Sequence, residues 1–213
     1  MKSRHATVRD RMDEIMYKKQ MKFQKLICLA TLAASAILFI YSLGLVTDLY
    51  DAFYSTMRDA NKIYDMRFTK VSGAWIFYEI QPFNKALTTA SLVLLGCSLL
   101  PYITNTHSRR KYYLANYITV GISSVANVAV AIWSAINVAQ FRNQFLTTVD
   151  FPALKEYAEK WDTLYTESTF WFDLGFVVSA LLIIVTALNI FNLVWKNKLM
   201  KEEKQLIAEG LEA

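Results

Sequence analysis

Four stretches of this chain, residues 26–47, 86–106, 112–141 and 174–195, contain no Asp, Glu, Lys or Arg, and together they make up about half of its 213 residues. Hydrocarbon offers no partner to loose backbone N–H and C=O groups, so a chain crosses it as helix, and about 20 helical residues cover a core about 30 Å thick. Each stretch reaches that length. The pattern predicts an all-α protein, a four-helix transmembrane bundle. A soluble domain can reach a hydrophobic content of 54%, but it does not clear its charges, 19% of residues, from four windows of this size.

The formal net charge of +5 carries information once it is divided by position. Lys2, Arg4, Arg9, Arg11, Lys18, Lys19, Lys22 and Lys25 precede the first stretch. Arg109, Arg110 and Lys111 lie between the second and third. Lys196, Lys198, Lys201 and Lys204 follow the fourth, so these three segments hold fifteen of the 23 basic residues. The two longer connections and their borders hold the other eight, outnumbered there by acids. The positive-inside rule then predicts a multi-pass protein of the cell membrane with both termini and the short connection cytoplasmic and both long connections outside. Lys18, Lys19, Lys22, Lys25, Arg109, Arg110 and Lys111 become candidate inner-leaflet contacts, and the basic balance needs no nucleic acid to explain it.

The organisation follows. Residues 1–22 read as a cytoplasmic basic amphipathic helix, with Val8, Met12, Ile15, Met16 and Lys19 on one face. Residues 23–104 form a first transmembrane hairpin with an exterior loop at 48–83. Residues 105–111 are a short cytoplasmic loop, 112–196 a second hairpin with an exterior loop at 142–170, and 197–213 a charged cytoplasmic tail. Lys25 followed by an apolar run ending Ala34-Ser35-Ala36 resembles a signal-peptide border, but the run continues through Val46, so the first span is expected to stay uncleaved. Cys28 and Cys97 both fall within spans, leaving no cysteine pair to clasp the exterior loops.

Both exterior loops contain helical patterns. Leu49, Phe53, Met57, Ala60 and Tyr64 recur at helical spacing until Ser72-Gly73 breaks the run, and Gln81-Pro82 marks the expected start of the second span. The third helix is expected to run to about Gln144. After Phe151-Pro152 a new amphipathic stretch carries Leu154, Tyr157, Ala158, Trp161, Leu164 and Tyr165. Two such faces, each needing cover, predict a small extracytoplasmic helical cap. The halves also resemble each other. Residues 49–56 align with 141–148, and Ile76-Phe-Tyr-Glu-Ile80 aligns with Phe170-Trp-Phe-Asp-Leu174. The expectation is two parallel-topology hairpins from an internal duplication.

Polar residues concentrate on the third span. Asn116, Thr119, Ser123, Asn127, Ser134 and Asn137 recur at helical spacing along one face, with Asn189 and Asn192 on the fourth span as their expected partners. Such a face belongs inside the bundle, or lines a path between copies. Ala30 with Ala34, Thr31 with Ser35, and Ala131 with Ala135 give the small-residue spacing that lets helices approach. Glu79 and Asp173 occupy equivalent outer-edge positions, where an acid favours a helix N-terminus or receives a cation or basic partner.

Chemistry-bearing motifs are missing from the sequence. There is no C-x-x-C, G-x-G-x-x-G, Walker loop, G-x-S-x-G or H-E-x-x-H. His5 and His107 lack companions at metal-ligand spacing, and no ionisable group sits inside a span to relay protons. No cofactor, metal or catalytic residue is expected. The topology is that of four-span families such as the claudins, but their paired extracellular cysteines are lacking. The sequence therefore predicts a non-catalytic integral membrane protein, an accessory, structural or regulatory subunit whose partners are the bilayer and another membrane protein or copies of itself. The alternative is a small oligomeric channel or transporter lined by the third span.

Orientation can be checked in a Cys28→Ala/Cys97→Ala background. A cysteine replacing Lys155 should react with a membrane-impermeant maleimide on intact cells, and one replacing Lys201 only after permeabilisation.

Overall fold

The computed structural model describes residues 2–57, 69–106 and 113–208. They form α1 (Lys2–Gly44), α2 (Thr47–Met57), α3 (Ile76–Thr106), α4 (Tyr113–Thr148), α5 (Phe151–Trp161) and α6 (Phe170–Ala208), with no strand among the described residues. Four helices are long and apolar enough to cross a membrane.

Cross-helix pairings fix the arrangement. Ser35 meets Ser98 and Cys28 meets Pro101, while Thr104 meets Thr119 and Phe83 meets Phe141. Asn127 meets Thr186 and Arg142 meets Asp173, and Thr31 meets Asn189 and Tyr17 meets Glu203, so each partnership runs antiparallel. α1 packs on α3 and α6, and α4 packs on the same two, closing a ring of neighbours. The Lys2 end of α1 and the Ala208 end of α6 lie at one end of this ring; α2 and α5, packed on each other, lie at the opposite end.

The distribution of polarity is the reverse of a soluble core. Val125, Ile40, Val177 and Leu26 are 71%, 66%, 63% and 62% exposed, whereas Ser35, Ser42, Ser91, Ser98 and Asn116 are all fully buried at 0%. In water such an apolar surface would be a large aggregation liability; against lipid chains it costs nothing.

The amphipathic stretches at the α2/α5 end bury their apolar faces on each other. Phe53, Phe145, Phe172 and Leu154 are buried, and the Phe145 ring contacts those of Phe53, Phe151 and Phe172 at centroid distances of 6.4, 5.2 and 5.5 Å. The turn before α3 seals this cluster. Gly73 has φ 79°, a conformation that favours glycine, and a side chain there would collide with the Thr148–Val149 backbone. The neighbouring Ser72 carbonyl accepts the Asp150 N–H at 3.0 Å. Asp150 then caps α5, its Oδ1 accepting from Ala153 N at 3.1 Å with Pro152 in the first turn.

Element borders depart from the sequence expectations in four places. α1 is unbroken from Lys2 to Gly44, about 65 Å of helix at 1.5 Å per residue, so the basic segment at 1–22 continues directly into the first span. α3 begins at Ile76, so Pro82 stands in its second turn on the exposed side, where its ring nitrogen offers the Tyr78 carbonyl no helical N–H. α4 continues to Thr148 because Phe145 anchors its last turns in the aromatic cluster. α5 stops at Trp161, where Asp162 takes a left-handed conformation at φ 51°, and this leaves Leu164 exposed rather than in line with Leu154 and Ala158. Ala60 and Tyr64 lie outside the described residues, as do the side chains of Val8, Met12, Ile15 and Met16.

α1 and α6 approach closely through a reciprocal exchange. The Tyr41 ring from α1 lies against Gly175 of α6, and the Trp171 ring from α6 lies against Gly44 of α1. A methyl group at either glycine would overlap the opposing ring. Gly121, by contrast, has open space where its Cβ would stand. Gly175→Ala should therefore destabilise the protein by about 1–3 kcal/mol in detergent unfolding titrations. Adding Tyr41→Phe should recover part of that loss, and Gly121→Ala should be neutral or mildly stabilising.

Candidate functional site

Three helices present an inward face that mixes apolar and polar residues at steps of three and four. On α1 it runs Tyr17, Gln20, Gln24, Ile27, Thr31, Ala34, Leu38, Tyr41 and Leu45, all buried. On α4 it runs Asn116, Val120, Ser123, Asn127, Ala131, Ser134 and Val138, and on α6 Gly175, Val178, Leu182, Val185, Asn189, Asn192, Lys196 and Glu203. The lysines of α1 that border its first span, Lys18, Lys19, Lys22 and Lys25, all point away from this face and are exposed.

All four seams of the ring are closed by a hydrogen bond between side chains. Asn189 Nδ2 donates to Thr31 Oγ1 at 2.5 Å across α6–α1, and the Ser35 and Ser98 hydroxyls share a bond of 2.7 Å across α1–α3. Thr104 and Thr119 meet at 3.1 Å across α3–α4, and Asn127 Nδ2 donates to Thr186 Oγ1 at 3.3 Å across α4–α6. Ser35 Oγ also reaches the Thr31 carbonyl at 3.1 Å, which links two of these bonds along α1. The result is a polar belt joining all four long helices.

A second polar cluster lies nearer the Lys2 end. Gln20 Nε2 donates to Gln24 Oε1 and to Asn192 Oδ1, at 2.9 and 2.8 Å. Tyr17 Oη donates to Glu203 Oε2 at 2.9 Å. Cys28 Sγ donates weakly to the Pro101 carbonyl at 3.7 Å. Asn116 and Lys196 are buried at the same end.

Glu79 and Asp173 are both engaged by α4. Arg142 Nε donates to Asp173 Oδ1 at 2.8 Å while Thr169 Oγ1 donates to Oδ2 at 2.6 Å, and Gln144 Nε2 donates to Glu79 Oε2. These two acids thus tie the ends of α3 and α6 to α4.

The structure gathers Asn116, Ser123, Asn127, Ser134, Asn189 and Asn192 into the interior. Thr119 sits at the α3–α4 seam. Asn137 does not join them: it is half-buried, and its Nδ2 donates to the Trp133 carbonyl of its own helix at 2.8 Å. Arg109, Arg110, Lys111 and His107 lie outside the described residues. Sequence reasoning missed Gln20, Gln24, Ser98, Thr186 and Glu203, it read Thr31 only as a small residue for close approach, and it grouped Lys196 with the basic residues that follow the fourth span. The signal was present for α1, where Gln20, Gln24, Ile27 and Thr31 keep the helical step, but the intervening lysines masked it.

Amides and hydroxyls make up the belt, whereas the second cluster also holds Tyr17, Cys28, Lys196 and Glu203. Among the described residues no three His, Cys, Asp or Glu side chains gather at metal-binding distance. No family model, curated protein or solved structure matches this sequence.

The belt is expected to act as an interhelical fastening whose energy a double-mutant cycle can isolate. Asn127→Ala and Thr186→Val should show a coupling of about 0.6–1.7 kcal/mol in unfolding titrations, and additive losses would deny the bond.

Proposed function

We propose that this chain is a non-catalytic, four-span integral membrane protein that serves as a structural, accessory or regulatory subunit of a larger membrane complex. Its four long helices form a transmembrane bundle, with α2 and α5 as an extracytoplasmic cap and the Lys2 end of α1 in the cytoplasm. The two hairpins arose by duplication, a reading supported by aligned Phe53 and Phe145 meeting in one cluster.

One observation carries this reading: side-chain hydrogen bonds join all four long helices within the chain, and the outward faces are apolar. A path between copies lined by α4 needs polar groups on its outer face, where Ile118, Ile122, Val125 and Ile132 stand. Uncharged outer faces suit lipid and the helices of another membrane protein. Beyond them, Tyr50, Tyr54, Trp161 and Leu164 add exposed aromatic and apolar surface to the cap.

Purification from native membranes in mild detergent, followed by mass spectrometry, should recover a second membrane protein in fixed ratio. Trp161→Ala/Leu164→Ala should lower that recovery several-fold without loss of the folded chain. A monodisperse monomer that crosslinks to nothing in native membranes is the result that ends this proposal.

A further inference from the structure

Toward the Lys2 end, one flank of the α1–α6 seam carries an aromatic cluster that faces out of the bundle. The Phe23 ring meets those of Phe191 and Trp195 at centroid distances of 6.0 and 5.8 Å, and Phe191 meets Trp195 at 6.2 Å. Unlike the cluster around Phe145, this one is open: Phe191 is 56% exposed, and Phe23 and Trp195 are half-buried. Leu26, exposed one turn deeper on α1, continues the apolar surface away from the Lys2 end.

Two lysines border the rings. Lys19 precedes Phe23 by four residues and Lys198 follows Trp195 by three, spacings that put each lysine on the same flank of its helix as the ring. The Tyr17–Glu203 and Gln20–Asn192 bonds bracket both lysines along their helices, so the two stand level across the seam. Packed helix axes lie about 8–10 Å apart, a gap that two lysine side chains can close on one small anion. Both lysines are exposed. Glu202 lies 3.9 Å from Lys198, a loose and exposed pair that water screens.

An apolar surface of rings that ends in two cations at one height matches an amphiphile with an anionic head. Free phosphate would use the lysines and leave the rings bare. A neutral lipid would use the rings and leave the lysines without a counter-charge.

We propose that this flank of the α1–α6 seam binds one anionic phospholipid of the cytoplasmic leaflet. Its phosphate lies between Lys19 Nζ and Lys198 Nζ, and an acyl chain lies along Phe23, Phe191 and Trp195. The inference rests on the transmembrane reading, which maleimide labelling of Lys155→Cys and Lys201→Cys decides on its own.

Quenching of tryptophan fluorescence by brominated acyl chains tests it on the purified full chain in detergent micelles, comparing brominated phosphatidylglycerol with brominated phosphatidylcholine. Phosphatidylglycerol should quench saturably at a concentration about tenfold lower, and Trp195→Phe should remove that saturable component. Lys19→Gln/Lys198→Gln should raise the half-quenching concentration about tenfold. Lys25→Gln/Lys204→Gln removes the same charge from exposed positions about 160° and 180° around their helices from Phe23 and Trp195, and should change it by under about twofold. Excess inorganic phosphate should not relieve the quenching. Equal quenching by the two lipids, a saturable component that survives Trp195→Phe, equal losses from the two lysine pairs, or relief by phosphate each overturns the proposal.

Discussion

A side-chain amide inside hydrocarbon cannot turn to water, so each buried Asn, Gln, Ser or Thr of this chain needs a partner on the same helix or on a neighbour. That constraint organises the molecule. Thr31, Ser35, Ser98, Thr104, Thr119, Asn127, Thr186 and Asn189 pair across all four seams, and each pair specifies which helices are neighbours and in what register. Dispersion and close approach, as in the Tyr41–Gly175 exchange, supply much of the remaining cohesion, because hydrophobic burial does little between helices already surrounded by lipid chains.

The two ends of the ring are held by different physics. At the α2/α5 end, where helices extend past any plausible hydrocarbon thickness, an aromatic cluster around Phe145 behaves as an ordinary buried core. Arg142 and Gln144 add polar ties from α4 to the acids of α6 and α3. At the other end the interior is wetter in composition. Tyr17 bonds Glu203 and Gln20 bonds Asn192 across α1 and α6, while Lys18, Lys19, Lys22 and Lys25 stay on the outside of the same helix. One helix thereby separates its charges from its amides by angle alone.

Such an arrangement explains why the chain offers so little that looks like chemistry. Its polar groups are neutral for the most part and are consumed in pairing, and its large exposed residues are those expected at a lipid or protein contact. The pairing is incomplete at several buried atoms, among them Asn127 Oδ1, Asn189 Oδ1 and the Ser123, Ser134 and Ser179 hydroxyls.

Much of this was written in the chain itself. Charge-free length determined the four long helices, and the helical step of Asn116, Ser123, Asn127 and Ser134 determined which face of α4 must be covered, since both follow from the chain's local composition and the helical repeat. The tertiary structure decided what composition cannot encode: that Asn127 finds Thr186 and Asn189 finds Thr31, that Asn137 turns back to its own helix, and that Lys196 and Glu203 go inside. It also decided where helices stop, since α4 runs on to Thr148 only because Phe145 has a cluster to enter. Those outcomes depend on neighbours more than a hundred residues away in several cases, and a one-dimensional pattern holds no record of which helix will be adjacent.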